Sequence, residues 1–600
     1  MANCSNLFIY AEIHQCRLFM CGIIGYIGLR NSIPDLIYGI KKLEYRGYDS
    51  FGCAIKTSDG LKVFKTTEEI EDAVRHYQIN KMNSQTAIFH TRWATNGEIN
   101  EINAHPQLDC KSKIAVVHNG IIDNAQDLKK KMNNHTFLSE TDTEIIPHII
   151  EDNMSNGKTF FDSVLIAAKS IVGLSSFVVL HADIDELVGV KNGSSLILAI
   201  DKDGYFISSD IPSVLRKTNK IIYLSDGDIV HLTKSSYSIV NIYGIHKIHE
   251  IKYISPDLSS TDDLKYPHLM LKEIYEQLAI WKKLPDVIVK EIKRASDYIR
   301  NAERVFFVGS GSSYHVSLYG SILFRKCGKD SIAIQPQEIS DFKNVMRDRD
   351  LLIVISQSGE TADLIYYLNL IRTNKKVGVI NVEQSFLAKS VDLLIPMSVG
   401  YERAVAATKS VSNSLIIVAY MYFFLSGDVR YIDRDAHLLE LNKFNLIVPS
   451  VENKIDEIAD FLKDEDHLFV TGTGKEYILA MEGALKIKEV SYIHAEALDM
   501  ISLKHGPLAM MEPGTKVITI VGNDDNLRNI DELKARGAII IGISEERFNN
   551  FDYFIRTVPA ATFGFAPILF ILQLLSYKIA VKRGLNPDKP RNLAKSVTVR

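Results

Sequence analysis

From residue 21 to about 240 the chain alternates short apolar runs with polar turns. CGIIGYIG (21–28), TAIFHTRW (86–93), KIAVVHNG (113–120), SSFVVLH (175–181), SSLILAID (194–201) and DGYFISSD (203–210) read as β-strands. IPDLIYGIKKLEYRG (33–47) and TDTEIIPHIIEDN (141–153) carry helical spacing instead. Together they predict an α+β domain with substantial sheet. A less regular stretch at 241–285, containing SPDLSSTDDLKYP, reads as a linker.

From about 286 the rhythm becomes strand, loop, helix. The β runs are RVFFVGSG, SIAIQ, DLLIVISQSG, KVGVINV and DLLIPM. After a helical stretch the series begins again with HLFVTGTG, KVITIVG, AIIIGIS and YFIRTV. Continuous apolar strands separated by helices indicate parallel sheets covered on both faces, hence α/β domains. A Gly-x-Gly turn directly after a strand occurs twice, at Gly309 and Gly472, which suggests a duplicated domain. The longest apolar stretch, APILFILQLLSYKIAV (566–581), contains Gln573, Ser576 and Lys578. It is shorter than the ~20 residues of a membrane span and predicts a buried helix.

At 600 residues the chain exceeds a single core, and three or four domains are expected. A formal net charge of −4 gives no reason to expect nucleic acid or an anionic membrane as partner. Cys4, Cys16, Cys21, Cys53, Cys110 and Cys327 show no CxxC spacing. Neither a disulfide framework nor a metal site is expected, and a reducing cytosol is the expected compartment. The first twenty residues lack the basic start and long apolar run of a signal peptide.

SQSGETAD (356–363) follows a strand of the parallel series, where ligands bind in open α/β sheets. Ser356, Gln357, Ser358 and Thr361 surround Gly359 with hydroxyls and an amide. With the backbone N–H groups of the following helix they could cradle an anion, and without a P-loop lysine a sugar phosphate is preferred to a nucleotide. The plainer alternative is that these residues only cap a helix. Ser312 and Ser313 form a second hydroxyl-rich turn. Lys486 and Glu489, three apart, share one helix face, either as a solvated ion pair or, with His505, as proton-transfer groups beside a carbonyl. The tail PRNLAKSVTVR (590–600) matters only if it folds over a site.

Read in order, CGIIGYIG, LEYRGYDS, HTRWAT, NAHP, HNGII, SETDTE, SQSGETAD, TKS, EGALKIKE, SYIHAEA, LKHGP and PRNLAKSVTV resemble the glutamine–fructose-6-phosphate aminotransferase (isomerising) family. The resemblance runs from Cys21 to Arg600. It implies an N-terminal-nucleophile glutaminase domain of αββα type at 21–240. Two flavodoxin-like SIS domains would follow at 286–430 and 456–588, with a tail at 589–600 closing the sugar site. It implies the conversion of fructose 6-phosphate and glutamine to glucosamine 6-phosphate and glutamate. Neither metal nor organic cofactor is implied, and the expected assembly is a homodimer through the SIS domains.

By that resemblance Cys21 would attack the glutamine amide with its own α-amine as base, because an acylated amine has no basic lone pair. Asn119 and Gly120 would stabilise the oxyanion, Arg92 would hold the α-carboxylate and Asp142 the α-ammonium. Trp93 and Thr95 belong to a loop that closes the site and gates ammonia toward an internal channel. In the second half Ser356, Gln357, Ser358 and Thr361 would bind phosphate, with Ser312 and Ser313 assisting. His505 would open the ring and Lys595 would form a Schiff base. Glu489, assisted by Lys486, would move a proton between C1 and C2.

Four positions depart from the family pattern: Asn96 for His, Leu278 for Pro, Ala407 for Ser and Ser502 for Glu. None removes a principal catalytic group. Because Cys21 follows Met20, residues 1–20 are expected to be absent from the active protein, with translation from Met20 and removal of that methionine. The alternatives are a genuine extension with a silent glutaminase, leaving an ammonia-dependent or isomerase-only enzyme, and an idle sugar-phosphate sensor.

Overall fold

A computed structural model of the chain describes residues 21–94, 97–254, 266–371, 375–522, 527–559, 565–593 and 595. The expected extension at 1–20, together with Thr95 and Asn96, lies outside them. The described residues form two compact units, one on each side of 255–265.

The first unit is built from two antiparallel sheets. One has eight strands, with Gly22–Gly28 paired between Gly204–Ser208 and Thr86–Arg92. The other has six, with Ile114–Gly120 paired to Ser175–His181 and Gln107–Leu108. Successive side chains of a strand point to opposite faces, and the burial follows that alternation. Ile23 and Ile27 of the first sheet pack against Ala115, Val117, Val178 and Leu180 of the second. On the far face of the second sheet, Val116, Phe177 and Val179 meet the helices Ile145–Ser155 and Phe160–Ser170. The helix Ile33–Lys42 covers the outer face of the first sheet, so the layers run helix, sheet, sheet, helix.

The second unit contains two five-stranded parallel sheets. In sequence order within each sheet, the strands of both lie 2-1-3-4-5. The first pairs Val305–Val308 with Leu351–Ser356 and Ser331–Ile334. The second pairs His467–Gly472 with Lys516–Ile520 and His494–Asp499. That order is the flavodoxin-like one, with its ligand crevice where strands 1 and 3 diverge. The duplication extends to the turns. A Cβ on Gly309 would come within 2.6 Å of the Ser313 carbonyl, and one on Gly472 within 2.5 Å of the Glu476 carbonyl. In each repeat only glycine lets the following helix pack this close to its strand. One apolar core runs through both repeats, with Trp281, Phe444 and Phe570 in mutual ring contact.

Two elements differ from the sequence reading. The stretch read as an irregular linker to 285 includes the start of the helix Leu269–Asn301. Met270, Ile274, Gln277, Trp281 and Leu284 fall on one buried face at helical spacing, which the internal Pro285 disguised. HAEALD forms the edge strand His494–Asp499, although its Ala, Glu and Leu favour a helix; tertiary pairing with His467–Gly472 overrides that preference. The apolar stretch near the C-terminus is the buried helix Ala566–Lys582, and no described helix is long and apolar enough to cross a membrane.

Candidate active sites

In the first unit Cys21 lies just before the central strand, beside the end of Thr86–Arg92. Its thiol is buried. The Trp93 N–H donates to Sγ at 3.3 Å. Burial pushes the thiol up to about 11, against the opposing pull of the Trp93 N–H and the Arg92 and Arg46 charges. The Cys21 carbonyl oxygen accepts from Asn119 Nδ2 (2.8 Å) and from Arg46 Nε (3.1 Å). Asn119 Nδ2 also donates to Ser209 Oγ at 3.0 Å. Gly47 allows this crowding: a Cβ there would lie 2.7 Å from the Trp93 nitrogen.

Arg92 and Asp142 supply opposite charges nearby. Arg92 is buried and donates to the carbonyls of Glu98 (3.2 Å) and Gly97 (3.4 Å). Asp142 opens the turn Asp142–Glu144 and accepts from the Ile122 N–H at 2.6 Å, just beyond Asn119 and Gly120. Burial pushes its carboxyl up to about 6, while three backbone N–H groups and the Arg92 charge pull it down. Behind the site, Thr143 Oγ1 lies 2.9 Å from His105 Nε2 and 2.8 Å from His118 Nδ1. Burial drives the His90 and His118 imidazoles down to about 3, so both are neutral.

In the second unit the loop 356–361 leaves the strand Leu351–Ser356 at the divergence of strands 1 and 3. Ser356 Oγ accepts from the Gly359 N–H (3.0 Å) and lies 3.5 Å from Thr361 Oγ1; Ser358 Oγ accepts from the Glu360 N–H (3.1 Å). Gln357 is half-buried in the same loop. The helix that follows, Ala362–Leu368, is short, so the loop itself supplies the hydroxyls.

The neighbouring turn, Ser312–Ser313, begins the helix Ser312–Lys326 and reaches the other repeat. Ser312 Oγ donates to Glu482 Oε1 at 2.8 Å, and His315 Nδ1 lies 2.6 Å from Glu482 Oε2. Glu482 Oε1 is in turn 3.3 Å from Lys486 Nζ, which donates to Glu489 Oε2 at 2.6 Å. Lys486 is fully buried. Burial opposes its charge, but Glu482 and Glu489 outweigh it and hold the ammonium above the usual lysine range.

Lys595 Nζ donates to Glu402 Oε2 at 2.7 Å, and both side chains are buried. Glu402 also accepts from the Thr408 and Ser410 N–H groups and from Ser410 Oγ. Close by, Glu273 accepts from the backbone N–H groups of Arg403 and Ala404. Burial pushes Glu273 up to about 7, although Lys409 and Lys595 oppose the rise. His505 is exposed at the end of the turn Ser502–His505, with no polar side-chain partner among the described residues.

Residues 90–216 match the glutamine amidotransferase domain family, and residues 298–424 and 461–578 match the SIS domain. Glutamine–fructose-6-phosphate aminotransferase [isomerizing] of Thermococcus kodakarensis is 39% identical over 605 residues, covering 97% of this chain and 100% of that relative. The enzyme of the same name from Pyrococcus horikoshii is 39% identical over 604 residues, with the same coverage. The chain belongs to this family. Among solved structures, the C-terminal domain of glucosamine-fructose-6-phosphate aminotransferase from Francisella tularensis is 29% identical, with a TM-score of 0.48. It covers 54% of this chain and 98% of that one.

Of the residues expected from the family motifs, Cys21, Arg92, Trp93, Asn119, Gly120 and Asp142 gather in the first unit. Ser312, Lys486 and Glu489 are joined through Glu482, while Ser356, Gln357, Ser358 and Thr361 share one loop; Ser313 adjoins Ser312. Thr95 is outside the described residues. Arg46 and Glu482 were given no role from sequence, although each stands in a quoted motif, LEYRGYDS and EGALKIKE. Against the expectation of no metal site, Cys110, His135, His148 and Glu151 converge in the first unit, all four ligand atoms within 4.8 Å of one another.

Proposed function

We propose that this chain converts D-fructose 6-phosphate and L-glutamine to D-glucosamine 6-phosphate and L-glutamate, as an aminotransferase of its family. The observation that carries the reading is full-length similarity to enzymes of that name, together with Cys21 held by the Trp93 N–H and the Asn119 amide beside the Arg92 charge. Arg92 offers a planar fork for the glutamine α-carboxylate, and Asp142 an anion for its ammonium. With residues 1–20 absent, the Cys21 α-amine takes the thiol proton and later passes it to the leaving nitrogen, while Sγ adds to the side-chain amide carbon. Asn119 and Gly120 stabilise the oxyanion. Both Asn119 amide hydrogens are engaged here, so one must leave the Cys21 carbonyl or Ser209 Oγ as the oxyanion forms. Collapse expels ammonia, and water releases glutamate from the thioester.

In the second unit the sugar phosphate binds at Ser356, Gln357, Ser358 and Thr361, with Ser312 and Ser313 assisting. His505 opens the ring. Lys595, once its proton is lost and Glu402 released, condenses with the C2 ketone and expels water. Ammonia displaces the lysine from C2. Glu489, beside Lys486, then takes a proton from C1 and returns one to C2, leaving an aldehyde at C1 and an amine at C2. We place the protein in the cytoplasm as a homodimer through its SIS domains.

Measuring glucosamine 6-phosphate with glutamine and with ammonia, side by side, tests the reading. Product with both donors supports it. Product with ammonia alone indicates a silent glutaminase. No product with either donor overturns the assignment and leaves the isomerase-only and sensor alternatives.

A further inference from the structure

The glutaminase unit carries a second cluster of chemical groups that the amidotransferase reaction does not use. Cys110 stands in the turn between the strands Gln107–Leu108 and Ile114–Gly120, a turn fixed by Asp109 Oδ1 accepting from the Lys113 and Ile114 N–H groups. His135 follows the helix Ala125–Lys131, and His148 and Glu151 lie one turn apart on the helix Ile145–Ser155. Their side chains meet. Cys110 Sγ is 3.4 Å from His135 Nδ1 and 3.7 Å from His148 Nδ1. Glu151 Oε2 is 3.4 Å from His135 Nδ1 and 3.6 Å from His148 Nδ1.

We propose that Cys110, His135, His148 and Glu151 form a structural zinc site. A tetrahedral ion bound at the usual Zn–S, Zn–N and Zn–O lengths sets neighbouring ligand atoms about 3.4–3.6 Å apart. A square-planar ion would draw neighbours to about 3 Å. The four measured edges, 3.4–3.7 Å, fit the tetrahedron. Hydrogen bonding alone does not account for them, since each Nδ1 faces both the sulfur and the carboxylate oxygen and carries at most one proton.

The group behind His135 fits the same assignment. His135 Nε2 lies 2.9 Å from Asp152 Oδ1, whereas Glu144 Oε1, 3.8 Å from His148 Nε2, is beyond hydrogen-bond reach. A carboxylate behind the distal ring nitrogen orients a metal-bound histidine. Glu144 accepts from the Leu138 and Ser139 N–H groups, which ties the His135 segment to the same helix. The backbone N–H of Cys110 donates to Glu151 Oε2 at 3.1 Å. One thiolate, two imidazoles and one carboxylate suit Zn²⁺ better than Ca²⁺ or Mg²⁺. Four protein ligands leave no open position, so the ion is structural. It joins the 109–113 turn to the helix that follows Asp142.

The test is the metal content of the full chain after dialysis, with Co²⁺ titration of the chelator-treated protein as a spectroscopic probe. One zinc per chain and a thiolate-to-cobalt absorption are expected. Cys110→Ser and His135→Ala, both outside regular elements, should lose the stoichiometric zinc. Cys110→Ser should also lose the charge-transfer band, and Asp152→Ala should weaken zinc about 10–100-fold. Wild-type protein that neither retains zinc nor gives the cobalt band overturns the site. So does unchanged zinc retention in Cys110→Ser and His135→Ala, which would mark the metal as adventitious or bound elsewhere.

Discussion

Lys595 Nζ lies 2.7 Å from Glu402 Oε2, and the pair is buried against the backbone N–H groups of Thr408 and Ser410. The Schiff-base role proposed for Lys595 requires the amine to leave this contact before it attacks the ketone. Burial alone would raise Glu402. The Lys595 charge and hydrogen bond, with those from Ser410, outweigh it and hold the carboxyl at about 2. The folded value is below the ordinary 4.5. The stabilisation is therefore complete above that pH and disappears as pH falls toward 2. Glu402→Gln leaves Lys595 without its counter-charge and is expected to cost about 3–5 kcal/mol at neutral pH, read from urea unfolding. Lys595→Arg should abolish amino-sugar formation while glutamine hydrolysis continues; synthesis that survives in that variant would remove the Schiff-base role.

The Asn119 amide supplies a second prediction. Asn119→Ala removes one oxyanion donor and should lower glutamine hydrolysis by about 10²–10³-fold. It should leave ammonia-dependent synthesis near wild type, because the second unit keeps its groups. The same loss with both nitrogen donors would mean a folding defect, which circular dichroism would reveal.

Asp142 gives the glutaminase a pH signature. Its folded carboxyl titrates at about 6, above the ordinary 3.8, so the folded protein binds that proton more tightly than the unfolded chain. Its contribution to stability is present below the ordinary value and is lost as pH rises through about 6. Glutamine binding runs the other way, since the substrate ammonium needs the anion. kcat/KM for glutamine should therefore climb from pH 5 to 7 through this group. Asp142→Asn should remove that limb and cost about 2–5 kcal/mol of binding, a rise in KM of about 30-fold or more.

Local pattern made most of the scaffold legible. Apolar runs such as LLIVIS, buried on both faces, and HLFVTG, buried apart from His467 and a half-buried Phe469, mark parallel strands by their composition. Cys21, Arg92 and Asn119 could be named only through the family motifs they stand in, next to or at the ends of antiparallel strands of the first unit. Glu482 could not. Its role depends on Ser312 and His315, about 170 positions away, brought close only when the two repeats fold together. The zinc cluster was hidden for the same reason: only His148 and Glu151 share a helix turn, while Cys110 and His135 arrive from separate loops. The pairing of Lys595 with Glu402 was likewise invisible, since neither the tail nor the ERAVAATKS loop has a periodic pattern.

The last prediction concerns the base that ionises Cys21. Its thiol stands at about 11, whereas the imidazoles of His90 and His118 stand at about 3. Moving the proton from the thiol to either ring is therefore strongly unfavourable. A free α-amine, ordinarily at about 7.7–8.0, is a far better acceptor than either ring. An amide nitrogen at the same atom offers no basic lone pair. A chain expressed from Met20 and trimmed to Cys21 should therefore hydrolyse glutamine, while one retaining residues 1–20 should make amino sugar from ammonia only. Intact mass establishes which N-terminus each preparation carries, and a glutaminase assay on each decides the matter. Full hydrolysis by the extended chain would show that another base serves Cys21.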